Sequence, residues 1–117
     1  GGINFDKYDD IPVETSGRDC VDCVTSFEEM DLPPQVLSNI ERCGFAVPTP
    51  IQKYAGPIGI SGRDMMSCAQ TGSGKTGGFL FPVLASLLKK GPLPPLPNAH
   101  PRTAYPSALV LAPTREL

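Results

Sequence analysis

The feature that most constrains this chain is Ala69-Gln70-Thr71-Gly72-Ser73-Gly74-Lys75-Thr76, a glycine-rich octapeptide ending in lysine and threonine. Before it, Met65-Met66-Ser67-Cys68 is a short run suited to a strand; after it, an apolar pattern continues to about Lys90 as a long helix. Strand, glycine loop and helix together form the layout of a phosphate site. Glycines let backbone N–H groups turn inward on a triphosphate, and the helix N-terminus adds the positive end of its dipole. Lys75 would neutralise the β and γ phosphates, and the Thr76 hydroxyl would sit on magnesium. The bland alternative, that Gly72 and Gly74 only make a turn, leaves the lysine, the threonine and both flanking elements unexplained. One residue is unusual: alanine stands where the general pattern begins with glycine.

The flanks extend this unit to an α/β fold. Residues 91–106 contain six prolines and read as a surface loop. The Pro-Leu-Pro-Pro-Leu-Pro run at 92–97 could serve a proline-recognising domain or be a plain insertion. Ala108-Leu109-Val110-Leu111-Ala112 then reads as a buried strand. Two strands joined through one helix give a right-handed parallel crossover, hence a parallel sheet with flanking helices. Upstream, Asp31 can cap a helix tolerating Pro33 and Pro34 in its first turn, with Val36, Leu37 and Ile40 on one face and Gly44 as terminator. A second helix is predicted from Thr49, where an N-cap threonine, Pro50 and Gln52 form a capping box; Pro57 and Gly59 should limit or kink it. Residues 1–26 are rich in Asp and Gly and contribute little core, lying on a surface or awaiting a partner.

Charge divides the chain in the same way. Residues 1–31 hold nine Asp or Glu against two Lys or Arg, a net of 2 − 9 = −7, and residues 32–117 hold three against eight, a net of 8 − 3 = +5. An acidic leader on a basic body is compatible with a body that meets phosphates, although solvated surface charge produces the same split. No stretch of about 18 apolar residues and no signal-type start occurs, which supports neither a membrane span nor secretion. Cys20 and Cys23 have metal-like or redox-like spacing, yet zinc takes about four ligands and the single histidine is His100. Free thiols in a reducing compartment are the reading taken for Cys20, Cys23, Cys43 and Cys68.

Two further segments carry chemistry. In Gly44-Phe45-Ala46-Val47-Pro48-Thr49-Pro50-Ile51-Gln52, the Gln52 carboxamide either closes the capping box or reads one adenine edge by donating and accepting, with Phe45 stacked on the base. Pro113-Thr114-Arg115-Glu116-Leu117 follows the last strand at the carboxyl edge of the sheet, where such folds place ligands. Thr114 and Arg115 suit a nucleic-acid phosphate, or are plain surface polarity.

In this order the three segments resemble the DEAD-box RNA helicase family. Residues 44–52 are similar to its Q motif, 69–76 to its motif I, which begins with alanine as here, and 113–117 to its motif Ia. Phe27 stands 44 − 27 = 17 residues before Gly44, where the family keeps an isolated aromatic. The leader Gly2-Ile3-Asn4-Phe5-Asp6-Lys7-Tyr8-Asp9-Asp10-Ile11-Pro12-Val13-Glu14 is similar to that of Vasa and its PL10-type relatives.

The resemblance implies a partial RecA-like P-loop domain in three parts: an acidic leader at 1–24, a Q-motif region at 25–53, and a helicase ATP-binding domain at 54–117 cut after motif Ia. It implies ATP contacts by Phe45, Gln52, Ala69, Gln70, Thr71, Gly72, Ser73, Gly74, Lys75 and Thr76, and magnesium on Thr76. Pro113, Thr114 and Arg115 would touch an RNA backbone without sequence choice. The full protein would clamp single-stranded RNA across two such domains and open short duplexes. Translation or ribonucleoprotein partners would meet the leader, in the cytoplasm, nucleus or ribonucleoprotein granules.

Departures from the family pattern are Gly77-Gly78, where close relatives carry alanines, and Gly56 and Gly59, where larger apolar residues are usual. Each glycine inside a helix costs on the order of 1 kcal/mol relative to alanine, so the helix after the loop is expected to fray. Neither the Asp-Glu-Ala-Asp nor the Ser-Ala-Thr motif occurs. The 117 residues alone are therefore expected to hydrolyse no ATP. Other P-loop ATPases lack the Pro-Thr-Pro-Ile-Gln signal; a non-catalytic nucleotide- or partner-binding module is the alternative of a different class.

Overall fold

The computed structural model describes residues 12–70 and 72–115, so expectations for residues 1–11 lie outside the described residues. The first regular element among the described residues is a single 3₁₀ turn, Glu28–Met30. The Thr25 and Ser26 hydroxyls donate to Glu29 Oε1 at 2.8 and 3.3 Å. Chiefly through Thr25, these bonds hold the Glu29 carboxyl below its usual value. Asp31 ends the turn in the left-handed region, at φ 60°. The expectation that Asp31 caps the next helix therefore fails. The N-cap is Pro33, without a side-chain bond, and Asp31 meets Lys89 Nζ at 3.3 Å instead. Two prolines fix φ and need no N–H acceptor, which makes a polar cap dispensable.

Helix α1, Pro34–Arg42, buries Val36 and Ile40 and half-buries Leu37. It stops at Gly44, whose φ of 84° is left-handed. The Gly44 N–H donates to the Glu41 carbonyl at 2.9 Å and the Phe45 N–H to the Ile40 carbonyl at 3.2 Å, which is a Schellman motif. A side chain at Gly44 would cost roughly 1–2 kcal/mol in that conformation.

Helix α2, Pro50–Ile60, starts as predicted, with the Thr49 N–H donating to Gln52 Oε1 at 3.0 Å. It runs through both Pro57 and Gly59. Pro57 has no N–H to offer the Lys53 carbonyl one turn back, and the Val24 N–H takes that acceptor at 3.1 Å. A helix defect thereby becomes the anchor of the leader.

Helix α3, Lys75–Lys90, packs along α2 and is continuous, so the predicted fraying is not observed. The glycines of α2 and α3 explain why. A β-carbon at Gly59 would lie 2.7 Å from Pro82 Cβ and Cγ, one at Gly56 2.8 Å from Met30 Sδ, and one at Gly78 3.3 Å from Ala55 Cβ. Close helix approach offsets the lost propensity. The core lies where α1, α3 and the 3₁₀ turn meet: Phe27, Met30, Leu32, Val36, Ile40 and Ala85 are buried, with Val24, Leu37, Ile60 and Phe81 packed around them. Phe27 and Phe81 meet edge to face, centroids 5.8 Å apart at 81°.

The predicted strands are absent among the described residues: 65–68 and 108–112 have no regular structure, and Leu109 and Leu111 are each 82% exposed. A strand is completed only by a neighbour that accepts and donates across it, and neither segment finds one here. The radius of gyration, 16.2 Å, exceeds the roughly 13 Å of a closed domain this long.

Candidate nucleotide site

The sequence makes the loop before α3 glycine-rich, and the fold shows what the glycines admit. The Ser73 N–H donates to the Gln70 carbonyl at 3.2 Å, turning the chain toward α3. Gly74, the N-cap, has φ 88°. A β-carbon on it would lie 2.7 Å from Gln52 Nε2 and 2.8 Å from Thr49 Oγ1. Glycine is required there on both counts, conformation and space. Through that gap Gln52 Nε2 donates to the Gly74 carbonyl at 3.0 Å. The carboxamide holds the first turn of α2 with its oxygen and the loop exit with its nitrogen, and Gln52 is buried. The capping role of Gln52 is thus present, and the same side chain joins the segment 44–52 to the loop.

Gly77, one turn further on, keeps the Gln52 side free. A β-carbon there would sit 2.7 Å from Gln52 Nε2 and 2.9 Å from Phe81 Cε2. Sequence reasoning treated Gly77 as a departure and missed this contact; the spacing 74, 77, 78 on one helix face was the available signal.

Lys75 and Thr76 are the first two residues of α3, half-buried and exposed respectively, and Ala69 is half-buried. Gln70 is exposed and Gly72 half-buried, while Thr71 lies outside the described residues. The first four N–H groups of a helix have no intrahelical acceptor. Beside them, the buried Ser73 Oγ has no hydrogen-bond partner among the described residues. Unsatisfied buried hydroxyls cost roughly 1–3 kcal/mol each. Donors, a lysine and the unpaired Ser73 hydroxyl around one turn fit a polyanionic ligand.

Phe45 is 38% exposed, with its backbone direction set by the Schellman motif. Pro113, Thr114 and Arg115 are exposed, and no hydrogen bond among the described residues joins them to the loop; Glu116 and Leu117 lie outside the described residues.

A cavity of about 700 Å³ opens beside the loop, lined among others by Cys20, Ile51, Tyr54, Arg63, Gln70 and Ser73. Arg63 holds its leader wall, donating from Nη1 to the Asp19 carbonyl at 2.7 Å and from Nη2 to the Arg18 carbonyl. The sequence marks Arg63 only as part of a turn. Cys23 hydrogen-bonds Tyr54 and pushes its hydroxyl above the usual value. All four cysteines are free and exposed, and no group of three His, Cys, Asp or Glu able to hold a metal occurs among the described residues.

Residues 49–117 match the family described as DEAD/DEAH box helicase. That is well over half of the chain. The chain belongs to the DEAD/DEAH box helicase family. The crystal structure of the RNA-helicase Prp28 from Chaetomium thermophilum bound to ADP is similar to it, with a TM-score of 0.69 and 38% identity over 86% of this chain. The alignment covers 22% of that chain, so this sequence spans about a fifth of the relative. The family membership and this match give the chain a helicase RecA-like fold, to which α1, α2 and α3 contribute the helices seen among the described residues. No helix among the described residues is long and apolar enough to cross a membrane.

Proposed function

We propose that this chain is the nucleotide-binding part of an ATP-dependent RNA helicase. Within it, residues 69–76 hold the triphosphate, with Lys75 on the β and γ phosphates and the Thr76 hydroxyl on magnesium. The hydrogen bond from Gln52 Nε2 to the Gly74 carbonyl carries the reading most directly. It couples the segment resembling the Q motif to the loop resembling motif I, two segments that any helix-capping explanation leaves independent. Gln52 and Phe45 would favour adenine. The metal and triphosphate would supply the reactive anhydride and its charge neutralisation; the chain's own part is to bind and orient, through the N–H groups of α3, Lys75, Ser73 and Thr76.

Pro113, Thr114 and Arg115 would contact an RNA backbone without reading its sequence. The division into a leader at 1–24, a Q-motif region at 25–53 and an ATP-binding domain at 54–117 belongs to this proposal. So does the pairing of 65–68 and 108–112 in a parallel sheet once neighbouring strands complete them. The leader's similarity favours the Vasa or PL10-type branch, cytoplasmic or in ribonucleoprotein granules, with ribonucleoprotein partners meeting the leader.

The test is binding of a fluorescent ATP analogue with magnesium to the chain and to Lys75→Ala. We expect loss of binding by at least about tenfold, roughly 1.4 kcal/mol. Equal binding by both, or equal competition by GTP and ATP, would respectively remove the phosphate role of Lys75 and the adenine preference. The 117 residues alone should show no ATP turnover above background.

A further inference from the structure

Residues 92–97, Pro-Leu-Pro-Pro-Leu-Pro, are all exposed, have no helix or strand, and contribute nothing to the core. Leu93 is 53% and Leu96 66% exposed, although both are large apolar side chains. The four prolines fix their own φ, and Leu93, Pro94 and Leu96 each precede a proline, which drives them toward extended backbone. The hexapeptide is thereby biased to polyproline II before any partner arrives. That helix repeats every three residues. Pro92 and Pro95 then share one edge, Leu93 and Leu96 a second, and Pro94 and Pro97 a third.

Of the two N–H groups in the run, that of Leu96 is taken by the Tyr105 hydroxyl at 3.2 Å, which ties the strap to the far limb of its loop. Apart from the Leu96 carbonyl, which accepts from the Ala99 N–H at 3.2 Å, the strap shows outward apolar ridges and carbonyl acceptors. A complementary partner must offer flat aromatic surfaces with indole N–H or phenol O–H donors. Charge narrows the partner further. No Asp or Glu occurs between Asp64 and Glu116, while Lys90 precedes the strap and Arg102 follows it; Lys89 is already paired with Asp31.

We infer that residues 92–97 are a docking site for a proline-recognising domain of another protein, one whose aromatic groove carries an acidic rim. Such domains bind preformed polyproline II at low entropic cost. The strap lies outside the nucleotide loop, so docking and nucleotide binding are separable.

The experiment titrates the intact chain into a panel of isolated SH3 and WW domains with acidic and neutral rims, followed by NMR shifts of the labelled domain. Saturable binding to acidic-rimmed members is expected. Pro92→Ala with Pro95→Ala should weaken it at least about tenfold, and Lys90→Ala should weaken it more at low salt than at high. Both variants should bind the fluorescent ATP analogue as the parent does, and circular dichroism should match the parent. No saturable binding by any member, or binding indifferent to the proline changes, overturns the inference. Loss of single-stranded RNA binding in the proline variants, without any domain binding, would also overturn it and make the strap an RNA contact.

Discussion

Replacing Gly77 by alanine sets two physical effects against each other, and the structure says which should win. Helix propensity alone favours the change by about 1 kcal/mol. The added β-carbon would lie 2.7 Å from Gln52 Nε2 and 2.9 Å from the Phe81 ring. The carboxamide cannot swing away freely, because it bonds the Thr49 N–H and the Gly74 carbonyl, each at 3.0 Å. Moving it forfeits the bond to Gly74, a net of roughly 0.5–1.5 kcal/mol. Pressure on Phe81, which is edge-on to the buried Phe27, adds an overpacking cost of about 1–3 kcal/mol. The balance is a destabilisation of roughly 0.5–3.5 kcal/mol, combining these terms. Thermal unfolding followed by circular dichroism should show a melting temperature lowered by several degrees. The decisive comparison is a double-mutant cycle with Gln52→Ala, in which the Nε2 obstacle is gone and Gly77→Ala should recover part of its propensity gain. A Gly77→Ala variant that is more stable than the parent by about 1 kcal/mol would refute the packing argument.

Phe27→Ala should cost about 3–5 kcal/mol and shift the denaturant midpoint accordingly; a change under about 1 kcal/mol would show that the Phe27–Phe81 contact does not organise the core. Arg63→Ala should release the leader at Arg18 and Asp19, read as faster limited proteolysis near Gly17 with little change in helix content; unchanged cleavage would refute the clamp. The Glu29 carboxyl lies below its usual value of 4.5. Its stabilising effect is therefore present above that value and lost as pH falls through the lower folded one. Glu29→Gln should flatten stability against pH in that acid window, and an unaltered profile in a pH series of melts would rule the contribution out.

Much of the local structure was legible because it depends on neighbours in sequence. Thr49, Pro50 and Gln52 start α2, Gly44 stops α1, and the run after the loop makes α3, all through bonds spanning a few residues. The glycine-rich loop, for which nucleotide binding is the proposal, stood out by its glycines, Lys75 and Thr76. Asp31 misled because a proline pair can begin a helix with no polar cap. The strand readings at 65–68 and 108–112 came from apolar runs, and an apolar run does not supply the partner strand that turns it into a sheet.

Only the tertiary structure decided what crosses those local units. The Val24 N–H satisfies the carbonyl that Pro57 strands on α2, Arg63 grips the leader more than forty residues upstream, and Gln52 reaches across to Gly74. Each is a donor meeting an acceptor far along the chain, and no period or spacing records such a meeting. The glycines show the division most clearly. Sequence alone counts Gly59 and Gly77 as lost helix propensity, whereas packing makes them the places where α2 and α3 come together, because only a missing side chain leaves room for Pro82 and Gln52.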